Sequence, residues 1–461
     1  MQGFLLHQNK MELAKKAREE GLMEGGTIPA QIQPDVLIQW DKFPFTKHAN
    51  MILLNRQQAV RQAMDPHLRT EILKLNGIPT ISLDKSIRFA RRYYVILFQY
   101  QVLGVYLFQK ATLWRTGEEK SRLQRGTFIS KKKYSPEVKR AIRLATDALY
   151  ALGLDFAGVW IGVPSSRSMM VMDMDPTPKH TPALLGRYVR TFARYCQTMR
   201  VPDEILLGTD VEFLLMNRAG KLVPASQFMS YRGRVGHDAY RDPLHRSDYP
   251  IAELRPLPSR HPLQLYRNLY ATMKQANRMI ASSNLAWLVG NQPVANLSIG
   301  GHLHFGKVPL HFLLIRVLDE YLALPFRILE DPRGILRRPK YGKLGDVRTK
   351  IHGFEYRTLS SFIYSPKIAL ATFVLAKFLV QHHLKLPIGT FLNSDVMRSF
   401  YSGNGAELYT HAEEKMSLIE SMPQYEEIRK QVDPLFQKIR EGTPWDESQD
   451  IRPAWKLTSS R

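Results

Sequence analysis

A single cysteine, Cys196, occurs in 461 residues, so no internal disulfide framework holds this chain, and the lone thiol fits a reducing cytoplasm. Cys196 falls in a helical stretch with no catalytic partner nearby and reads as a small buried apolar residue. No apolar run is long enough for a bilayer. The longest, "IALATFVLAKFLV", is short of the roughly 20 residues required and carries Lys377, which marks it as a buried helix. The opening "MQGFLLHQNKMELAKKAREEG" is amphipathic but lacks the apolar core and cleavage site of a signal peptide. Zinc-finger spacing, a homeodomain-like pattern and an RNP aromatic motif are also missing, which leaves a nucleic-acid role resting on charge alone. Acidic residues are the scarcer sign, 42 against 65 basic, for a formal charge of +23. That excess draws nucleotides, acidic peptides and other anions by long-range attraction.

What is present is a soluble globular composition, 44% hydrophobic and 10% aromatic, over a length that exceeds one core. Five segments are expected: an extension at 1–29, a first α+β block at 30–180, a linker helix at 181–202, a second block at 203–400 and a charged helical tail at 401–461. In the first block "NMILLNRQQAVRQAMDPHLRTEILKLNGIPT" reads as two helices, the second closing at Asn76-Gly77. "RRYYVILFQYQVLGVYLF" reads as two strands about a tight turn. "SPEVKRAIRLATDALYALGL" reads as a helix with Ser135 as N-cap, Pro136 at its first position and Gly153 as C-cap. In the second block strands and helices alternate irregularly, which predicts an α+β fold with an antiparallel sheet.

The second block carries the chemistry. "GTDVEF" sets Asp210 and Glu212 two apart, on one face of a strand. "IAELRPL" does the same with Glu253 and Arg255, "GGHLHFG" with His302 and His304, and "GFEYRTL" with Glu355 and Arg357. Asp346 and Arg348 stand just upstream in "YGKLGDVRTK". One such pair is ordinarily the wet face of a strand. A set of carboxylates, imidazoles and guanidiniums in one block matches metal-assisted phosphate chemistry, because magnesium takes hard oxygen ligands and arginine grips phosphate through two N–H groups. The His-x-His pair alone is a weak zinc signal.

In that order and at those gaps, "GTDVEF", "VPAS", "ELRP", "GGHLHFG" and "EYRTLSSF" resemble the phage-type, phiEco32-like carboxylate–amine ligases. These are the type 2 amidoligases, related to glutamate–cysteine ligase and glutamine synthetase. The resemblance covers roughly residues 203 to 370. It implies a curved antiparallel sheet holding Mg-ATP, and activation of a carboxylate as an acyl phosphate that an amine then attacks. Carried over by motif, Asp210, Glu212, Glu253, His304 and Glu355 would be metal ligands. Arg357, with Arg255, Arg348 and His302, would serve the nucleotide phosphates, and the three arginines would be the catalytic residues. Val211 stands where relatives often have proline.

The first block resembles a truncated ATP-grasp domain. Its entry is "MILLNRQQAVRQAMDPHLRTEILKLNGIPT", and its exit is "ALGLDFAGVWIGV" followed by "VMDMDPTP". Asp173 and Asp175 stand at the metal motif there, whereas Trp160 replaces a usual acidic residue. Only a short segment separates "GIPT" from "RRYYVILFQ", so the nucleotide-covering subdomain has no room, which implies a degenerate, non-catalytic domain. Asp-Pro at a strand end is also ordinary turn chemistry, and Lys131 to Lys133 read as a solvated loop. The resulting expectation is a cytoplasmic, ATP- and Mg-dependent ligase with carboxylate and amine substrates, possibly an acidic or cell-wall peptide. The alternative is a catalytically silent scaffold that keeps the fold.

Overall fold

The run Gly3–His7, GFLLH, is buried throughout, as a strand inside a parallel sheet must be. The computed structural model describes residues 1–8, 10–40, 51–81, 87–109, 112–114, 126–164, 168–178, 182–241, 247–281, 284–389, 393–403 and 405–457. The chain divides into two compact units, Met1–Arg200 and Val201–Arg461.

In the first unit, β1 (Gly3–His7), α1 (Met11–Glu19), β2 (Met23–Gly25), β3 (Val36–Trp40) and β4 (Ile52–Leu54) build a parallel sheet ordered β2-β1-β3-β4. Residues 1–29 therefore carry part of a sheet rather than hang as an extension. The stretch expected to be helical from Met51 is a strand first, then α2 (Gln57–Met64) and α3 (Pro66–Leu75). Asn55 makes the break: it takes φ +51, and its side chain bonds the backbone of Asp155, Phe156 and Pro176. A three-residue strand is too short to show a period of two.

The second sheet of this unit is antiparallel and contains β5 (Ile87–Phe98), β6 (Gln101–Phe108), β7 (Thr112–Trp114), β8 (Thr127–Phe128), β9 (Phe156–Pro164) and β10 (Met170–Asp175). Between β8 and β9 runs α4 (Pro136–Ala151), whose N-cap Ser135 accepts a bond from the Val138 N–H. Leu152 closes this helix, and Gly153 follows at φ +73. Helix α5 (Pro182–Thr198), read from sequence as a linker, packs against α1 and β1 within the unit. The amino terminus donates to the Cys196 carbonyl at 3.2 Å, and burial pushes the Cys196 thiol up to about 12. Asp173 pairs with Arg69 at 3.3 Å, and Asp175 accepts from the Tyr94 hydroxyl. Lys131 to Lys133 are exposed.

The second unit is built on one long strand. β11 (Leu206–Asn217) is flanked by β12 (Leu222–Val223), β14 (Ile251–Leu254), β15 (Leu285–Leu288) and β16 (Gly301–Gly306), with β13 (Val235–His237) beyond β14. β17 (Val347–Lys350) and β18 (Gly353–Tyr356) extend the sheet past β16, giving the order β13-β14-β11-β16-β18-β17 with every pair antiparallel. The antiparallel α+β class expected from the sequence is observed. One face buries Val211, Phe213, Leu254, Leu303, Phe305, Phe354 and Tyr356. Helix α6 (Pro262–Ile280) packs on the sheet and against α9 (Pro366–His382), the helix that contains the long apolar run. Ser365 caps α9, and Lys377 turns its ammonium out to the Arg260 carbonyl.

Residues 401–461, read as a tail, are not separate. Beyond a helix at Arg429–Glu441 the chain returns to β15: Ile451 donates to the Trp287 carbonyl, and Asp450 accepts from the Trp287 N–H. The Glu447 carboxylate accepts from the N–H groups of Asn291 and Gln292, and Trp455 is 1% exposed. The charged residues that made the segment look solvated are caps on buried backbone.

Candidate active site

Register decides which two-apart pairs meet. Directly opposed residues of an antiparallel pair share a face. Asp210 lies opposite His302 and Glu212 opposite Glu253, while Gly208 lies opposite His304. His304 in turn faces Glu355, and Glu355 faces Arg348. Asp210, Glu212, Glu253, His302, His304, Glu355 and Arg348 thus occupy one face of one sheet, opposite its apolar core. Arg255 and Arg357 continue that face just past the ends of β14 and β18.

Burial and charge set the state of each group. Glu212 is 3% exposed, and burial together with Asp238 and Glu253 raises its carboxyl well above the usual range. It accepts from the Gly300 N–H at 2.6 Å and from the Tyr341 hydroxyl at 3.3 Å. Glu253 is raised to about 7 by burial and by Asp210, against the pull of Arg255. At Asp210 burial acts upward, but the His304 N–H at 2.9 Å outweighs it, with help from Arg255 and Lys350, and the carboxyl is lowered. His302 is held well below its ordinary value by burial and by Arg357, so its imidazole is neutral. Its Nε2 lies 2.6 Å from the Tyr341 hydroxyl and its Nδ1 3.3 Å from Glu355.

Cations interleave with these acids. Arg255 pairs with Glu253 and donates to the carbonyls of Tyr231, Gly233 and His237, which ties it to the β13 loop. Glu355 is ringed by Arg348 at 3.3 Å, Lys350 at 2.8 Å and Arg357 at 3.2 Å. Arg348 is otherwise exposed, whereas Arg357 lies over the Tyr341 ring at 5.2 Å, with the buried Arg337 against the same ring at 4.8 Å. The Nε of Arg357 is near Glu355 but off the angle of a hydrogen bond, so among the described residues this buried donor is unspent. The glycines around His302 were expected to let a ligand reach the backbone. They instead clear space for side chains: a Cβ at Gly300 would lie 2.8 Å from His302 Nε2, and one at Gly301 2.5 Å from Phe362.

Three groups of donor atoms are close enough to share a cation, each with its atoms within 4.8 Å: Asp210, Glu253 and His302; Asp210, His304 and Glu355; Glu212, Asp238 and Glu253. Asp210 and Glu253 each belong to two groups, so the sites overlap along the face. Oxygen donors dominate, which fits magnesium better than zinc. His302, read from sequence as a phosphate contact, stands among the metal-capable donors. Asp238, Tyr341 and Lys350 were missed. Asp238 and Tyr341 lie outside the strands that carry the two-apart pairs, where no periodicity marks a residue. Lys350 is two past Arg348 and was legible by the same rule as the others.

No helix among the described residues is long and apolar enough to cross a membrane. No curated protein matches the chain. Among solved structures it is similar to the ATP-grasp ligase PsnB complexed with minimal precursor, at 9% identity and TM-score 0.31, over 43% of this chain and 99% of that one. It is similar also to the macrocyclase MdnB from Microcystis aeruginosa MRC, at 9% identity and TM-score 0.27, over 42% and 98%. A bifunctional glutathione synthetase from Pasteurella multocida matches at 12% identity and TM-score 0.34, over 55% of this chain and 51% of that one. These likenesses are too slight to carry chemistry across. The family of phage phiEco32-like COOH.NH2 ligase-type 2 proteins matches residues 207–457, well past the stretch to about 370 that the sequence motifs covered. That match takes in every strand of the acidic sheet except the first residue of β11, and more than half of the chain: the protein belongs to the phage phiEco32-like carboxylate–amine ligases of type 2.

Proposed function

We propose that this ligase uses ATP and Mg2+ to join a carboxylate to an amine through an acyl phosphate. The observation that carries the proposal is the overlap of three cation-capable donor groups on one sheet face, beside an arginine with an unspent buried N–H. Asp210, Glu212, Glu253, His304 and Glu355 would hold the metal, with His302 and Asp238 added by the structure. Bound there, a divalent cation would bridge phosphates and offset their charge. The remaining work belongs to the chain. Arg357 grips the transferred phosphoryl group, Arg348 swings in from its exposed position, and Arg255 fixes Glu253 and the β13 loop. A substrate carboxylate oxygen attacks the γ-phosphorus and ADP departs. The amine nitrogen then attacks the acyl carbon, phosphate leaves, and the amine proton passes to solvent. The charge of +23 favours an acidic acceptor such as a glutamate-bearing or cell-wall peptide. The first unit, an inactive ATP-grasp-like domain on this reading, serves recognition, and the lone buried Cys196 suits a cytoplasmic enzyme.

The test is amine-dependent ADP release over a panel of amino acids and peptides. Arg357→Gln should lower it about 100-fold, the scale of one lost charge-stabilising donor, with an unchanged melting temperature. Equal turnover in the variant sinks the assignment. The ion pairing of Glu253 and Glu355 favours one second reading, a silent scaffold whose acids are neutralised by its own cations. That reading requires Mg-ATP binding that is absent, or indifferent to Asp210→Asn.

A further inference from the structure

The first unit holds a cavity of about 830 Å³ that the proposed chemistry does not use. Its place follows from the topology. In the order β2-β1-β3-β4 the chain leaves β1 toward β2, then crosses back to lay β3 on the other side. Connections therefore run in opposite directions from the gap between β1 and β3. Open parallel sheets bind ligands outside the carboxyl ends of their strands at such a reversal. Gln8 follows β1, Gln39 is next to last in β3 and Asn55 follows β4, and all three line the cavity. Helix α2 supplies a wall, because Gln57, Val60, Arg61 and Met64 recur at helical spacing on one stripe.

The lining contains no carboxylate, and its two charged residues, Lys10 and Arg61, are cations. Two helices also begin there. Lys10 is the N-cap of α1 and Gln57 the first residue of α2, and neither helix has a side-chain cap on its first-turn N–H groups. Those dipole ends add positive potential to the two side-chain charges. The β1–α1 connection, Gln8-Asn9-Lys10, contains no glycine, so it lacks the fingerprint that brings backbone against a pyrophosphate. One dianionic group is favoured over a dinucleotide. Val60, Met64 and Pro176 offer an apolar surface to the rest of such a molecule, while Asn55 is committed to its own backbone contacts and shapes the wall.

We infer that this cavity binds a small molecule bearing a phosphate monoester, with Lys10 and Arg61 gripping the phosphate at the carboxyl edge of the parallel sheet. The inference stands apart from the ligase proposal. Calorimetric titration of the full chain in EDTA, with AMP, glucose 6-phosphate and glutamate as probes, tests it. At least one phosphate monoester should bind, and Lys10→Gln and Arg61→Gln should each weaken it about tenfold, near the worth of one charged hydrogen bond. Arg357→Gln in the second unit should leave that binding unchanged, which separates this cavity from the ligase site. Arg61 is exposed, so its variant keeps the fold, as an unchanged melting temperature would show. The inference is overturned if neither phosphate monoester binds, if Arg61→Gln binds them as tightly, or if glutamate binds equally well.

Discussion

Glu253 shows burial and like charge at work on a single carboxyl. Burial and the neighbouring Asp210 lift it to about 7 against the pull of Arg255. Below that pH the group holds a proton which a divalent cation must displace; above it the oxygen is free to coordinate. Affinity for Mg2+ or Mn2+ should therefore fall by up to about tenfold per pH unit as the pH drops from 7 to 5. Proton release on binding, read by calorimetry in buffers of different ionisation heat, checks the sign. Glu253→Gln should flatten the profile, and a wild-type affinity that is level across this range contradicts a role for this oxygen. At this scale the sequence was most informative. Asp210, Glu212, Glu253, His302, His304, Glu355 and Arg357 were all singled out because a period of two needs no knowledge of partners. Asp238 and Tyr341 were not, since a turn leaves no such mark. Nor could spacing say that Arg255 would face loop carbonyls while Arg357 kept a donor unspent.

Among the elements, β18 is the narrowest fit. Gly353 opens it at φ +152, and a Cβ there would lie 2.0 Å from the Phe305 carbonyl oxygen on β16. Gly353→Ala should thus cost about 2–4 kcal/mol, through both the backbone conformation and the forced separation of the two strands. Denaturant unfolding measures this, and a change under about 0.5 kcal/mol would contradict it. Because β18 carries Glu355 and leads into Arg357, activity should fall with stability. Strand identity was readable from alternation in "GGHLHFG" and "GFEYRTL". Register was not, because it emerges only once both strands are paired. The parallel sheet of β1 to β4 escaped notice for another reason: its strands have five residues or fewer, and β1 is buried on both sides, so no polar alternation betrays it.

For the whole molecule, the unexpected contribution came from residues 443–457. The sequence showed charge and little periodicity there, and burial was hidden because Glu447 and Asp450 are spent on backbone N–H groups. Removing residues after Gly442 should strip two caps and the buried Trp455 from the second unit, at a cost of several kcal/mol, comparable with a domain's net stability. A cooperative melt of Val201–Arg461 should then be lost, with ready proteolysis; an intact melt would show the segment to be dispensable. Asp450 reaches Trp287 across 163 residues of sequence. While the chain emerges from the ribosome, the strand Leu285–Leu288 must therefore wait for its clasp. A message broken before that point yields a protein whose acidic centre is never sealed, so incomplete copies are marked for destruction before they can waste ATP.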